Sequence, residues 1–299
     1  MKKYDVVILT KKEFFEPENP DWYVKQAINE DNFVKKALEK KGLKVARTYW
    51  DNPDFDFSET KITLLRTVWD YFHRFKEFSA WLKKTQTKTK IINPPELIFE
   101  NIDKHYLAGL EKKGINIPKT YFIDKGDKRT LKQLHKDFNL NESVLKPVIS
   151  GAGRHTYKLT ADNLNEHEEI YKKLISEEDM MLQEFQHNIY EKGELAFMFF
   201  EGKFSHAVLK KGKKGDFRVQ DDFGGTVHTY DPSPEEIRFA EKVIASVNPL
   251  PVYGRVDVIT DNNGKPAIGE LELIEPELWF RFYPPAADML AGAVIKKIN

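Results

Sequence analysis

The chain contains no cysteine. That absence excludes a disulfide framework, a thiolate metal site and a cysteine nucleophile. A long apolar run is missing too. Val6-Val7-Ile8-Leu9, near the start, is far too short for a signal peptide or a membrane span and reads as a buried first strand. Nor is there an excess of either charge: 47 basic and 47 acidic residues cancel. No global field draws such a chain to nucleic acid or to a membrane surface, and the cytoplasm is the expected compartment. Repeats and low-complexity segments are likewise absent. What is present is 40% hydrophobic and 13% aromatic residues, enough to build a core and to exclude disorder. At 299 residues the chain is too long for one simple domain and suits two or three around a cleft.

The first hundred residues alternate between strand and helix patterns. Val6 to Leu9, Val45 to Trp50 and Ile62 to Leu65 read as strands, and Asp31 to Lys41 as a helix stopped at Gly42. Tyr71 to Lys84 reads as a helix whose aromatics at 71, 72, 75, 78 and 81 make a core stripe. Such alternation predicts a parallel α/β domain, ending near Ile91-Ile92 and the break Asn93-Pro94-Pro95. Beyond it the texture becomes antiparallel. A helix spans Asn101 to Gly114, and strands run at Thr120 to Ile123, Ser143 to Pro147, Thr156 to Leu159 and Met180 to Phe185. A helix covers Asp162 to Ser176, and Leu195 to Glu201 pairs with Lys203 to Lys210 about Glu201-Gly202. Ser233-Pro234-Glu235-Glu236 is a capping box, and Val252 to Thr260 pairs with Pro266 to Leu273 about Asp261-Asn262-Asn263-Gly264.

Three groups of residues carry chemistry. Lys146 ends a strand just before the loop Ser150-Gly151-Ala152-Gly153, an order that suits a triphosphate cradle. It matches neither a P-loop, which needs lysine directly after its glycines, nor a Rossmann fingerprint, since Thr156 stands at the third glycine. The bland alternative is a hairpin tip. A second group is acidic: Glu270 and Glu272, two apart on a strand, project to one face beside Asp257, and Glu275 follows. Converging carboxylates suit magnesium; the alternative is a polar face paired with Arg255 and nearby lysines. A third group is basic. Lys210 ends one strand, and Arg218 sits in a strand-like Phe-Arg-Val segment where a guanidinium could clamp a phosphoryl group. Arg66, beside Leu65, is the candidate for a substrate carboxylate, with Arg255 and Arg281 behind it; an i,i+4 surface pair with Asp70 is the plainer reading.

The order of these motifs resembles the ATP-grasp superfamily. Lys104 with Gly114 to Thr120, Val144-Leu-Lys146-Pro147, Leu182-Gln183-Glu184-Phe185, Asp216-Phe-Arg218 to Gly225, Arg255-Val-Asp257 and Glu270-Leu-Glu272 follow one another as in glutathione synthetases, D-alanine–D-alanine ligases and ribosomal-protein glutamate ligases, over roughly residues 95 to 299. Leu65 to Tyr71 and Glu270 to Pro276 extend the likeness to ATP-grasp proteins of unassigned function and to the cyclo-ligase of D-cycloserine biosynthesis. The resemblance implies an N-terminal α/β pre-ATP-grasp domain (1–98), a central lobe with the glycine loop (99–182) and a C-terminal lobe with the metal site (183–299). It implies that Lys104, Lys146 and the loop 150–153 meet phosphates, that Gln183, Glu184 and the backbone of Phe185 meet adenine, and that Glu191 or Glu194 meets ribose. Arg218 and Lys210 would hold transferring phosphate, and Asp257, Glu270, Glu272 and Glu275 two magnesium ions, with manganese as an alternative. Where the usual pattern has asparagine this chain has Glu272, which leaves the register against Glu275 open.

The expected activity is therefore an ATP- and Mg-dependent carboxylate–amine or cyclising ligase. It acts on an amino-acid-like or peptide-like small molecule through an acyl phosphate, releasing ADP and phosphate. A regulatory module that binds ATP without turnover and a phosphotransferase are the competing readings. The expected partners are small molecules and, among macromolecules, a second copy of the chain.

Overall fold

The computed structural model describes residues 2–220 and 223–298. They form three sheets. The first is parallel, with strands β1 (Tyr4–Thr10), β2 (Val45–Tyr49), β3 (Thr60–Thr67) and β4 (Lys90–Ile92) in the order β2-β1-β3-β4. Val6, Val7, Ile8 and Leu9 are all fully buried because both faces of the sheet are covered. On one face lies α1 (Trp22–Lys40), which puts Val34 and Leu38 against Val6 and Ile8. On the other lies α2 (Phe75–Thr85), which puts Phe78 and Leu82 against Val7 and Leu9.

Two expectations change here. α1 starts at Trp22, capped by Asp21, and not at Asp31. Glu30 and Asp31 lie mid-helix on its buried side, which hid the helical stripe from a hydrophobic reading. α2 starts at Phe75, so Tyr71 and Phe72 belong to the turn before it and not to the helical stripe.

The chain then crosses through α3 (Pro95–Ile102) and α4 (Tyr106–Lys112), two short helices where one was expected. Asp103 breaks them by accepting the amide of His105 at 2.9 Å, and Lys104 sits in the break. The second sheet is antiparallel, in the order β5-β8-β6-β7: β5 (Thr120–Ile123), β6 (Ser143–Pro147), β7 (Tyr157–Leu159) and β8 (Met180–Glu184). Helices α5 (Leu131–Asp137), which the hydrophobic pattern did not announce, and α6 (Leu164–Glu177) cover one face with Leu134, Tyr171 and Leu174. β8 runs to Glu184, so Gln183 and Glu184 still belong to the second sheet.

After the single turn α7 (Ile189–Lys192), five antiparallel strands follow: β9 (Glu194–Phe200), β10 (Lys203–Lys211), β11 (Thr226–Tyr230), β12 (Tyr253–Thr260) and β13 (Pro266–Glu272), in the order β11-β10-β9-β12-β13. Helix α8 (Pro234–Ala245) opens on the expected Ser233–Glu236 capping box and packs on one face through Ala240, Val243 and Ile244. Helix α9 (Pro285–Ile295) packs on the other, joining Met198 and Phe200 to the core beneath β1. β12 and β13 pair as expected, with an irregularity. Asp257 stands opposite Glu270 and Val258 opposite Ile268, so Gly269 is an extra residue in β13. The bulge lets Ile268 and Leu271, three apart, share the buried face while Glu270 and Glu272 point the other way.

A buried polar network joins the N-terminal sheet to residues 275–281. Arg66, wholly buried, donates to the Pro276 carbonyl at 2.9 Å and lies 3.7 Å from Glu30. Glu30 accepts the amides of Leu278 and Phe280 at 3.0 and 2.9 Å. Asp31 accepts Arg47 and Thr67 at 2.8 and 2.9 Å. Burial, with Glu277 nearby, pushes Glu30 up to about 8.

Candidate active site

A cavity of about 500 Å³ opens between the three sheets. Its central wall comes from β6, β8 and the loop after β6. Lys146 alternates with buried Leu145, so its side chain leaves the sheet on the cavity side. Its ammonium lies 3.3 Å from Oε1 of the Gln183 side chain, and burial, with Lys104 nearby and only partly offset by Glu270, lowers it to about 8. Lys104 reaches the same wall from the break between α3 and α4. It donates to the Ser150 carbonyl at 2.7 Å and pairs with Glu270 at 2.9 Å. Ser150, Gly151, Ala152 and Gly153 line the cavity between them. Ala152 and Gly153 both take positive φ, 48° and 66°, so the loop folds back on itself over the lysines.

The facing wall is β12 and β13. Asp257, nearly inaccessible, accepts Lys210 at 2.8 Å and Arg255 at 2.8 and 2.9 Å. Burial alone would raise its carboxyl, but Arg255 and Lys210 outweigh it and hold Asp257 at about 2. Lys210 also pairs with Glu194; burial opposes its charge, yet the two carboxylates lift it to about 12. Glu270 is lowered against the pull of burial by Lys104 and Lys146. Glu272 touches Arg255, yet burial, with Asp257 and Glu270 beside it, raises it to about 7. Glu275 is raised further by burial and by Glu272 and Glu270. The Tyr71 hydroxyl faces this group and stays a neutral donor, since burial and Glu275, Glu270 and Glu272 all disfavour its anion.

The acidic group is thus interleaved with Arg255, Lys210 and Lys104. Among the described residues no three acidic or imidazole groups stand as a ready metal cage. The donor chemistry nonetheless fits a hard divalent cation: four carboxyls on one wall, two of them held towards the neutral form by burial and by one another. A cation entering there relieves that repulsion.

At the end of β8, Gln183, Glu184 and Phe185 line the cavity together with Phe217. Phe185 offers its ring and not its backbone: its amide donates to Glu142 at 3.1 Å and its carbonyl accepts Asn262 at 2.9 Å. The ring meets Phe217 edge-on at 5.7 Å and carries the Lys158 ammonium at 3.9 Å. Arg218 lines the cavity in an irregular segment, not in a strand as its neighbours suggested. Asp216 holds it at 2.7 Å, and its guanidinium covers the Phe223 ring at 3.9 Å. Residues 221 and 222 of this stretch lie outside the described residues.

Other candidates fall elsewhere. Arg66 does not line the cavity; it is sealed in the network behind it, because Pro276, Glu30 and the Tyr253 and Phe280 rings enclose it. Arg281 pairs with Glu277 and does not line the cavity either. Of the two ribose candidates, Glu194 lines the cavity and Glu191 is exposed on α7. Sequence reasoning missed Lys11, Tyr23, Trp69, Glu277 and Trp279, which complete the N-terminal end of the cavity. Lys11 follows directly on β1 and Trp69 comes two residues after β3, and the neighbouring ends of these strands form the switch point of the 2-1-3-4 order. Clefts of parallel sheets open at such points, so position alone could have nominated these residues.

Residues 6–93 match the family described as D-cycloserine synthetase DcsG, N-terminal domain, and residues 115–262 match prokaryotic glutathione synthetase, ATP-grasp domain. The cycloserine biosynthesis protein DcsG of Streptomyces lavendulae is 27% identical over 272 residues, which is 84% of this chain and 87% of that protein. The crystal structure of D-cycloserine synthetase DcsG superposes with a TM-score of 0.84 at 22% identity, covering 98% of this chain and 99% of the other. The ATP-grasp ligase PsnB, solved with a minimal precursor, Mg and ADP, gives 0.63 at 15% identity, over 100% of this chain and 99% of that one.

Proposed function

We propose that this chain, which resembles ATP-grasp ligases in sequence, joins a carboxylate to an amine on a small amino-acid-like substrate, consuming ATP with magnesium. The observation that carries the reading is the pair of opposed walls. Lys104, Lys146 and a glycine loop face Asp257, Glu270 and Glu272 across one cavity. Its volume of about 500 Å³ suits a nucleotide and a small molecule together.

In this reading Lys146 and Lys104 hold phosphate oxygens, and Arg218, fixed by Asp216, holds the γ-phosphate. The Phe185 and Phe217 rings and the side chains of Gln183 and Glu184 take adenine, and Glu194 takes ribose. Asp257, Glu270, Glu272 and Glu275 would hold two magnesium ions, whose contribution is to neutralise charge between phosphates and carboxylates. Lys210 and Arg255 keep Asp257 charged and in place beforehand. The substrate carboxylate attacks the γ-phosphate, releasing ADP and leaving an acyl phosphate; an amine then displaces phosphate. Tyr23, Trp69 and Trp279 wall off the far end and keep water from the acyl phosphate. No helix among the described residues is long and apolar enough to cross a membrane.

The likeness to a protein called D-cycloserine synthetase favours a ring-closing variant, in which donor and amine belong to one molecule. ADP release should be measured with ATP and magnesium across amino acids, their ω-substituted derivatives and dipeptides, each with and without a second amine. Release with one derivative alone and no amine supports ring closure. Release that needs an amine supports ligation of two molecules. Phosphorylated substrate accumulating as a stable product would sink both.

A further inference from the structure

The glycine loop lies between two aromatic rings that belong to other parts of the molecule. A Cβ placed on Gly151 would fall 2.6 and 2.7 Å from Cε1 and Cδ1 of Phe72, in the N-terminal part. One placed on Gly153 would fall 3.0 Å from Cε2 of Phe223, in the C-terminal part. Both distances are shorter than carbon–carbon contact allows, so ring edges touch the loop backbone itself. The loop is otherwise tied at its ends: Lys104 donates to the Ser150 carbonyl at 2.7 Å, Ser150 to the Arg154 carbonyl at 3.0 Å, the Arg154 amide to Gly151 at 3.0 Å and the Thr156 amide to Gly153 at 3.2 Å. The Arg154 guanidinium reaches Glu178 at 2.9 Å and the Ile149 carbonyl at 3.1 Å.

Phe72, by contrast, is firmly held. It is buried within the cluster of Phe78 and Leu82. Asp70, two residues earlier, accepts Trp50 at 2.9 Å and Arg74 at 3.3 Å, and Arg74 also reaches Asp51 at 2.7 Å. The same turn carries Trp69, whose indole donates to the Glu275 carbonyl at 2.9 Å, and Tyr71, which faces the acidic wall. A rigid turn of the N-terminal part therefore touches the phosphate loop on one side and the substrate end of the cavity on the other.

We propose that Phe72 is a positioning residue, the seat against which the phosphate loop closes, so that the N-terminal part completes the nucleotide site. The proposal rests on the reading that this cavity takes MgATP. It follows that small-molecule binding at Trp69 and Tyr71 and loop closure over phosphates reinforce one another, and that the coupling is reciprocal.

The test is a double-mutant cycle read as affinity for a non-hydrolysable ATP analogue with magnesium, by titration calorimetry. In the wild-type background Gly151→Ala collides with a fixed ring and should weaken binding about tenfold or more. In the Phe72→Ala background the added methyl has room, and the same change should cost less than about twofold. Phe72→Leu, which keeps the N-terminal core filled, serves as a second background should Phe72→Ala fold poorly, and thermal melts of each variant establish that. Equal losses in all backgrounds would mean that Gly151 serves the phosphates directly, overturning the seat while leaving the nucleotide site in place. A wild-type protein that binds no analogue would take down the nucleotide reading and this one with it.

Discussion

Arg66 and Arg255 invite comparison. Both project from strands next to carboxylates, both are almost inaccessible, and both touch the 275–281 segment, Arg66 at Pro276 and Arg255 at Glu277. Their surroundings differ in one respect: Arg255 forms part of the cavity wall, and Arg66 lies behind it. Around Arg66 the acceptors are a backbone carbonyl and a carboxylate already engaged by two amides; its Nε and Nη1 are buried without an acceptor, and the cavity does not reach it. Around Arg255 the carboxylates of Asp257 and Glu272 face open space that a substrate or a cation can enter. Charge and burial are common to both, and access is what separates a brace from a working group.

That contrast can be broken by mutation. The largest effect is expected at Asp257→Asn, with ADP release falling about a thousandfold. Stability should fall by about 2 kcal/mol, since Lys210 and Arg255 keep Glu194 and Glu272 as partners but lose the Asp257 charge that they hold at about 2. Parallel turnover and urea-unfolding measurements check this, and a protein that is mainly unfolded would place Asp257 on the side of Arg66. Arg66→Met should do the reverse, costing about 3 kcal/mol in unfolding while turnover per folded molecule is preserved. Loss of activity at unchanged stability would erase the distinction.

A smaller effect concerns pH. Lys146 loses its proton at about 8 in the free protein, and a phosphate binds its charged form. Affinity for the ATP analogue should therefore hold below pH 7 and fall about tenfold between pH 7 and 9. Lys146→Arg, which stays charged, should flatten that limb, and a profile unchanged by the substitution would detach Lys146 from the phosphates. The smallest effect is expected at exposed Glu191: Glu191→Gln should shift analogue affinity less than about twofold.

Much of this was legible in the sequence because the informative residues were local. Strand alternation placed Lys146 and Leu145 on opposite faces, the 233–236 capping box fixed the start of α8, and the order of motifs brought lysines, loop and carboxylates into one site. What the sequence hid were long-range relations. Arg66 looked exposed beside a strand end, yet its enclosure depends on residues more than two hundred positions away. The interleaving of Asp257, Glu270 and Glu272 with Lys104 and Arg255 requires the β12–β13 register and the break after α3. Lys11 and Trp69 carry no motif, only a place at the ends of β1 and β3. Tyr71 and Phe72 were taken into a helix by their spacing, although a turn bound through Asp70 claims them.

The extra residue at Gly269 has a consequence for how the chain tolerates change in length. Upstream of it, β13 alternates in one phase; downstream it alternates in the other. Deleting one residue between Ile268 and Glu270 would leave a hairpin as well paired as before, but with its parity reset. Either both glutamates would turn into the α8 packing face, or Ile268 would be exposed in the cavity. The isolated glycine works as a phase marker, and a single-residue deletion there should spoil either the glutamate face of β13 or the core beneath it while sparing the sheet.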